Sequence, residues 1–234
     1  LLYSYYKING GNPIKAVEEG LDGLREECEK RGAILRVRGS CSTGYGEDLI
    51  RSAFQLHAGI IETIAHYMAA RYLNKNVSFI LDIGGQDTKI IRIENGMVTD
   101  FLMNDKCSAG TGRFLEVMAN TLSLTPQDLC ELAAKGSGTS ISSMCTVFAE
   151  SEVISLIGKG TPREDIAYGV IESVVTKVVQ LISQVEGDQY FLTGGLCEDP
   201  YILERLSLAL HAPVESVPLA RYAGAIGAAL TAAV

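Results

Sequence analysis

The sequence predicts a mixed α/β protein made of two lobes. Short apolar runs that end at paired glycines indicate buried strands, and residues 77–83, which precede Gly84-Gly85, are an example. Apolar residues at helical spacing behind Asn-Pro, Thr-Pro and Asp-Pro pairs indicate helices with their N-caps. Hydrophobic residues make up 47% of the 234-residue chain and charged residues 21%, so a sizeable core is expected.

The first lobe is predicted to begin with a helix. Asn12-Pro13 matches an N-cap followed by proline at the first helical position, and Gly32 is expected to close this helix. After it we predict a short strand at residues 34–37, a loop of small residues at 40–46, and helices at 47–54 and 60–73. Residues 1–76 are assigned to this lobe, and residues 218–234 are expected to join it.

The second lobe, residues 77–217, is predicted to begin with a β-meander. Its predicted strands are residues 77–83, 87–94, 97–103, 190–193 and 213–217. Asn95-Gly96 is a strong signal for a two-residue hairpin turn within the meander. Helices are predicted behind Thr125-Pro126, Thr161-Pro162 and Asp199-Pro200, and a last helix at residues 220–233.

Charge and apolar patterning exclude several classes of protein. The chain has 20 basic and 28 acidic residues, a net charge of −8, and no basic stripe, so no nucleic-acid partner is expected. Its most apolar stretch, residues 219–234, is short and interrupted by Arg221, so no membrane partner is expected either. The six cysteines form no C-x-x-C pairs, which leaves free thiols or a shared metal cluster in a reducing compartment. We predict a cytoplasmic protein.

Two glycine turns follow buried strands of the second lobe, at residues 82–89 and 193–195. Glycines at a strand end let backbone N–H groups approach an anion, and an aspartate there would orient a Mg²⁺-bound water beside it. The alternative is a tight turn with a structural carboxylate. Because two such turns occur in one lobe, they are candidates for gripping the two ends of a nucleotide, its phosphates and its adenosine.

Two cysteines, Cys107 and Cys145, precede predicted helices. The positive end of a helix dipole stabilises a thiolate, which is the form that binds iron or zinc. Two ligands cannot complete a four-cysteine cluster site, whereas a symmetric dimer would supply four. The alternative is that both are buried structural cysteines. The other four are predicted to be ordinary thiols, on buried helix faces (Cys28 and Cys130) or in loops (Cys41 and Cys197).

Five segments, taken in order, carry a family resemblance. They are Leu-Asp-Ile-Gly-Gly-Gln-Asp at residues 81–87, Asn-Asp-Lys-Cys-Ser-Ala-Gly-Thr-Gly-Arg-Phe at 104–114, Cys-Thr-Val-Phe-Ala-Glu-Ser-Glu-Val at 145–153, Thr-Gly-Gly at 193–195, and Tyr-Ala-Gly-Ala-Ile-Gly-Ala-Ala-Leu at 222–230. Together they resemble the ATP-dependent activators of 2-hydroxyacyl-CoA dehydratases and the related ATPase subunits of benzoyl-CoA reductase. These segments are spread over most of the chain.

This resemblance implies an actin/hexokinase-like ATPase fold, with two ribonuclease-H-like lobes around a nucleotide cleft. It also implies a homodimer that bridges one [4Fe-4S] cluster, with Cys107 and Cys145 as the ligands from each chain. The implied reaction is ATP hydrolysis coupled to the transfer of one low-potential electron to an iron–sulfur 2-hydroxyacyl-CoA dehydratase or a related reductase.

The matched positions also imply a nucleotide site. Asp82 and Gln86 are assigned to catalysis, and Mg²⁺ is expected beside the phosphates. The residues expected to contact ATP or ADP are Gly84, Gly85, Gln86, Asp87 and Lys89 of the second phosphate loop, and Thr193, Gly194 and Gly195 of the adenosine motif.

Two segments depart from the family pattern. The family's first phosphate turn, of the type Asp-x-Gly-Ser-x-x-x-Lys, has no match, so the first strands of lobe one are expected to be missing and ATP hydrolysis by this chain alone is in question. Residues 196–199, Leu-Cys-Glu-Asp, differ from the more usual Val-Ala-x-Asn, which leaves the adenine-side contacts open. Two alternatives remain: a small-molecule kinase of the same fold, and a non-hydrolysing domain that binds a cluster or docks.

Overall fold

The computed structural model describes residues 1–74, 76–104, 110–142, 145–182 and 187–233. Within these ranges the chain forms two compact units. The first consists of Leu1–Ala65 together with the C-terminal segment that starts at Gly224, and the second consists of His66–Ala223. No helix in the described ranges has both the length and the apolar character that crossing a membrane requires.

The described elements follow the predicted order closely. The helices are α1 (Pro13–Lys30), α2 (Glu47–Phe54), α3 (Glu62–Leu73), α4 (Gly112–Thr121), α5 (Pro126–Ala133), α6 (Thr146–Gly158), α7 (Arg163–Ile182), α8 (Pro200–Leu210) and α9 (Ala223–Ala232), with a 3-10 helix at Pro218–Tyr222. The strands are β1 (Cys41–Ser42), β2 (Ala58–Gly59), β3 (Phe79–Ile83), β4 (Thr88–Glu94), β5 (Met97–Met103), β6 (Tyr190–Gly194) and β7 (Val214–Glu215). The last predicted helix is thus split into a 3-10 turn and α9.

The strand predicted at residues 34–37 is wrong. These residues have no regular secondary structure, and the Ile34 and Val37 side chains are 83% and 63% exposed. A strand is held by hydrogen bonds to neighbouring strands, and in the described part of this unit the short strands β1 and β2 pair with each other. The apolar residues therefore form no strand here, because no neighbouring strand pairs with them among the described residues.

The second unit is built on a five-stranded sheet with the order β5-β4-β3-β6-β7. β3, β4 and β5 are antiparallel, which confirms the predicted meander, whereas β3, β6 and β7 run in parallel. Asn95 and Gly96 both have positive φ, at 51° and 75°, as the predicted hairpin turn requires. β3 is buried along its whole length, so the centre of the sheet forms the middle of the core.

Helices complete the core of the second unit. α7 packs against both α5 and α8, and it buries nine apolar or small residues. α5 begins with the predicted capping box, in which the Thr125 hydroxyl accepts from the Asp128 backbone N–H at 3.1 Å and the Asp128 carboxylate accepts from the Thr125 backbone. The Thr125 hydroxyl also donates to the Asp128 carboxylate at 2.7 Å, and this hydrogen bond, with the one from the Thr125 backbone, holds the pKa of Asp128 below its usual value.

Candidate functional site

The two glycine turns lie side by side at one edge of the sheet. β3 and β6 are neighbouring parallel strands, and their register pairs Asp82 with Thr193 and Ile83 with Gly194. Both strands therefore end at the same level, and the glycines that follow them are adjacent. In open α/β sheets, ligands bind in the crevice outside the carboxyl ends of parallel strands, so this edge is the candidate site.

The Asp82 carboxylate lies beneath both turns and is only 1% exposed. Its Oδ1 accepts a hydrogen bond from the Thr193 hydroxyl at 3.0 Å, and its Oδ2 lies 3.6 Å from the Lys89 ammonium. Lys89 is itself buried and forms a closer ion pair with Asp87. A buried carboxylate is tolerated only when it is paired and hydrogen-bonded, and Asp82 meets both conditions.

Glycine is required at 194 on steric grounds. Gly194 has φ of +92°, a region that side chains rarely adopt. A Cβ at this position would overlap the Ile83 carbonyl oxygen and lie 3.2 Å from Asp82 Oδ1. At Gly84, a Cβ would lie 3.0 Å from the Asp87 carbonyl oxygen and 3.7 Å from Asp82 Oδ2. Each turn therefore approaches one oxygen of the same carboxylate.

The first glycine turn is fixed to the start of α4. The carbonyl oxygens of Gly84 and Gly85 accept hydrogen bonds from the backbone N–H groups of Gly112 and Arg113, each at 2.9 Å. The tip of the turn faces outward, because Gly85 and Gln86 are exposed and a Cβ at Gly85 would meet no atom within 4 Å. The backbone N–H groups of these two residues donate to no other described residue, so they are open to an anion.

The predicted nucleotide residues thus fall into three groups, one of which is the half-buried pair Gly84 and Gly194. Gly85 and Gln86, and Gly195 on the neighbouring turn, are at the surface, where they can meet a ligand directly. Asp82, Asp87, Lys89 and Thr193 are buried beneath the turns. Since the carboxylates of Asp82 and Asp87 are both engaged by Lys89, the predicted Mg²⁺ contact of Asp82 stays a prediction.

One buried residue beside this site was not predicted. His66, on α3, is 6% exposed, and its Nδ1 lies 3.1 Å from the Thr193 hydroxyl and 3.5 Å from Asp82 Oδ1. The sequence indicates only a histidine on the face of a helix, and the residues that it contacts are 16 and 127 positions further along the chain. Paired glycines in the sequence indicate where strands end, but they give no signal for the helix that packs beside those strands.

Cys145 is at the predicted kind of position, whereas Cys107 lies outside the described residues. Cys145 is the N-cap residue of α6, is half-buried, and its side chain makes no capping hydrogen bond. Of the other thiols, Cys130 is fully buried on α5 as predicted, and burial raises its pKa. The core position predicted for Cys28 is wrong, because α1 has no buried residue and Cys28 is half-buried.

Of the remaining two thiols, both predicted to lie in loops, one does and one does not. Cys41 lies in β1 rather than in a loop. Cys197 lies in the turn after Gly195, but it is buried, and burial raises the pKa of its thiol. The loop position predicted for Cys197 is therefore confirmed, and the one predicted for Cys41 is wrong.

Comparison with known proteins identifies the family. The BadF/BadG/BcrA/BcrD ATPase family matches residues 4–232. The chain belongs to this family. It is 41% identical over 222 residues to the (R)-2-hydroxyglutaryl-CoA dehydratase activating ATPase of Acidaminococcus fermentans, covering 94% of this chain and 82% of that protein. It is 32% identical to one of the subunits of the benzoyl-CoA reductase of Thauera aromatica, covering 96% of this chain and 80% of the relative.

Comparison with solved structures identifies the fold of this family member. The activator of the 2-hydroxyisocaproyl-CoA dehydratase from Clostridium difficile, solved with bound ADPNP, superposes with a TM-score of 0.83 at 32% identity. The match covers 98% of this chain and 82% of that one. The fold is the actin/hexokinase-like ATPase fold predicted from the sequence.

Proposed function

We propose that this ATPase family member is an ATP-dependent activator of a CoA-ester dehydratase or reductase. Relatives that are named as activators of 2-hydroxyglutaryl-CoA, lactoyl-CoA and 2-hydroxyisocaproyl-CoA dehydratases support this role, and the relative from benzoyl-CoA reductase supports the wider class of partner. The partner would be an iron–sulfur dehydratase or a related reductase that receives an electron.

The meeting of both glycine turns at Asp82 is the observation that carries the nucleotide part of this proposal. The exposed N–H groups of Gly85 and Gln86 suit the phosphates of ATP or ADP, because backbone donors in a glycine turn bind anions without competition from a Cβ. The second turn, at Gly194-Gly195, is next to the first and suits the adenosine end. Asp82 and Gln86 would then act at the phosphates, one from beneath the turn and one from its tip.

Titration calorimetry with ADP and with ATP tests the nucleotide site. We expect binding of both, and slow release of inorganic phosphate from ATP. An absence of binding at millimolar nucleotide would contradict the activator function and favour a non-hydrolysing docking domain. Transfer of phosphate to a sugar or acyl acceptor would instead favour a small-molecule kinase.

We further propose that two copies of the chain share one [4Fe-4S] cluster, held by Cys107 and Cys145 of each copy. The fit rests on Cys145, whose half-buried thiol is not used to cap α6, and thiolates are the ligands of such clusters. When bound, the cluster supplies one-electron redox chemistry, which ATP hydrolysis would drive toward the partner enzyme. The homodimer is needed because each chain contributes two ligands.

Replacing either proposed ligand is expected to abolish iron retention. Cys107→Ala and Cys145→Ala would each leave two thiolates in the dimer, which cannot complete a four-cysteine site. Iron content and charge-transfer absorption after anaerobic reconstitution measure this. Cys28→Ala is the matched control, because Cys28 is also half-buried but lies on α1. Equal iron in the three variants, or no iron in the unaltered protein, would contradict the cluster assignment.

A further inference from the structure

We propose that His66 is a positioning residue for nucleotide hydrolysis, acting through Thr193 on the Asp82 carboxylate. His66 belongs to none of the segments that carry the family resemblance, and it lies on α3 rather than on either glycine turn. This inference rests on the proposed nucleotide function. It adds a residue that touches no nucleotide but controls the positions of the residues that lie beneath the nucleotide.

An ionised carboxylate only accepts hydrogen bonds, and from this we infer the direction of the hydrogen bonds that join His66, Thr193 and Asp82. The Thr193 hydroxyl has one proton, which it donates to Asp82 Oδ1 at 3.0 Å. The same hydroxyl oxygen lies 3.1 Å from His66 Nδ1, so it must accept a proton there. His66 Nδ1 therefore carries a hydrogen. The hydrogen bonds run from the His66 imidazole N–H to the Thr193 hydroxyl, and from that hydroxyl to the Asp82 carboxylate.

Because the three groups are buried, the hydrogen bonds between them orient the Thr193 hydroxyl. His66, Thr193 and Asp82 are 6%, 0% and 1% exposed, so bulk water does not reach the hydroxyl to replace a lost donor. A threonine hydroxyl can otherwise rotate among staggered positions. With the imidazole N–H in place, the hydroxyl proton is directed at Asp82, and both oxygens of the carboxylate are held, one by Thr193 and one by Lys89.

The position of Asp82 matters because both turns pass close to its carboxylate. A Cβ at Gly194 would lie 3.2 Å from its Oδ1, and a Cβ at Gly84 would lie 3.7 Å from its Oδ2. A rotation of the carboxylate would therefore press on one turn and withdraw from the other. The exposed N–H groups at Gly85 and Gln86 would move with that turn, and small misplacements of this kind lower turnover more than they lower binding.

Conservative variants of His66 separate positioning from simple packing. Asparagine keeps an amide N–H near the position of Nδ1, whereas glutamine places its amide near the position of Nε2. We expect His66→Asn to keep kcat for ATP hydrolysis within about threefold of the unaltered protein. We expect His66→Gln to lose about tenfold in kcat, with KM and ADP affinity changed by less than about twofold.

The variants also show whether an unexpected result contradicts the role of His66 or the proposed function. Equal kcat in His66→Gln and the unaltered protein would overturn this inference alone, as would a His66→Asn variant no better than His66→Gln. Loss of ADP affinity in parallel with kcat would indicate a structural role and would also overturn it. An unaltered protein that neither binds nor hydrolyses ATP would overturn the proposed function. The role of His66 in hydrolysis would be overturned with it.

A measurement on the unaltered protein tests the chain of hydrogen bonds without any variant. The sequence has three histidines, so imidazole ¹⁵N resonances are readily assigned by comparison. We expect the Nδ1 of His66 to be protonated and its hydrogen to exchange slowly with solvent. A neutral imidazole with the hydrogen on Nε2 would overturn the proposed direction of the hydrogen bonds, whether or not the protein hydrolyses ATP.

Discussion

Gly194→Ala is expected to lower the free energy of unfolding of the second unit by roughly 3 kcal/mol. Gly194 adopts φ of +92°, where a side chain is strained whatever space surrounds it. In addition, the new methyl group would overlap the Ile83 carbonyl oxygen, which is backbone of the central strand β3 and cannot rotate away. The turn between β6 and the following residues would have to move outward, so nucleotide affinity is expected to fall as well.

Chemical denaturation and ADP titration measure both effects, and Gly85→Ala is the matched control. A methyl group at Gly85 meets no atom within 4 Å, so stability should change by less than about 0.5 kcal/mol. That methyl would, however, occupy the open space in front of the first turn, where the phosphates are proposed to bind. We therefore expect Gly85→Ala to weaken nucleotide binding while leaving stability intact. A Gly194→Ala protein as stable as the unaltered one would contradict the steric argument.

The sequence predicts the strands of this site better than it predicts their neighbours. The apolar run that ends at Gly84-Gly85 and the one that ends at Gly194-Gly195 are local signals, and both strands form where they were predicted. Their parallel pairing joins Asp82 to Thr193 across 111 positions, and no local pattern specifies such a contact. The occurrence of two such turns in one lobe, and the resemblance of both motifs to one family, indicated in advance that they belong to the same site.

Contacts between distant parts of the chain also explain the features that the sequence predicts wrongly or does not indicate. Residues 34–37 have the composition of a strand, but the ladder that would hold them does not form among the described residues. His66 is on an ordinary helical face, and its importance arises only because α3 packs beside the ends of β3 and β6. Lys89 is expected from the resemblance to contact the nucleotide, yet its side chain is buried on β4 and pairs with buried carboxylates.

Asp82→Asn is expected to lower ATP hydrolysis by about 100-fold and the free energy of unfolding by about 2–3 kcal/mol. The asparagine has nearly the same shape, so the effect comes from the lost charge and from the amide donor that replaces one carboxylate oxygen. Its amide oxygen can still accept from the Thr193 hydroxyl, but its NH₂ group would then face the Lys89 ammonium, 3.6 Å from the original Oδ2. Two donors opposed in a buried site cost more than the lost attraction, because neither can reach water.

The loss of stability is limited by the second carboxylate of the cluster. Lys89 keeps its closer ion pair with Asp87, so its charge stays partly compensated, and the unit is expected to fold. The loss of turnover is not limited in this way, since Asp82 is the one carboxylate that lies against both glycine turns in the described structure. Asp100→Asn provides the control, because Asp100 is an exposed aspartate on β5 of the same sheet. Hydrolysis by Asp82→Asn at the rate of the Asp100→Asn protein would show that the buried carboxylate only supports the fold.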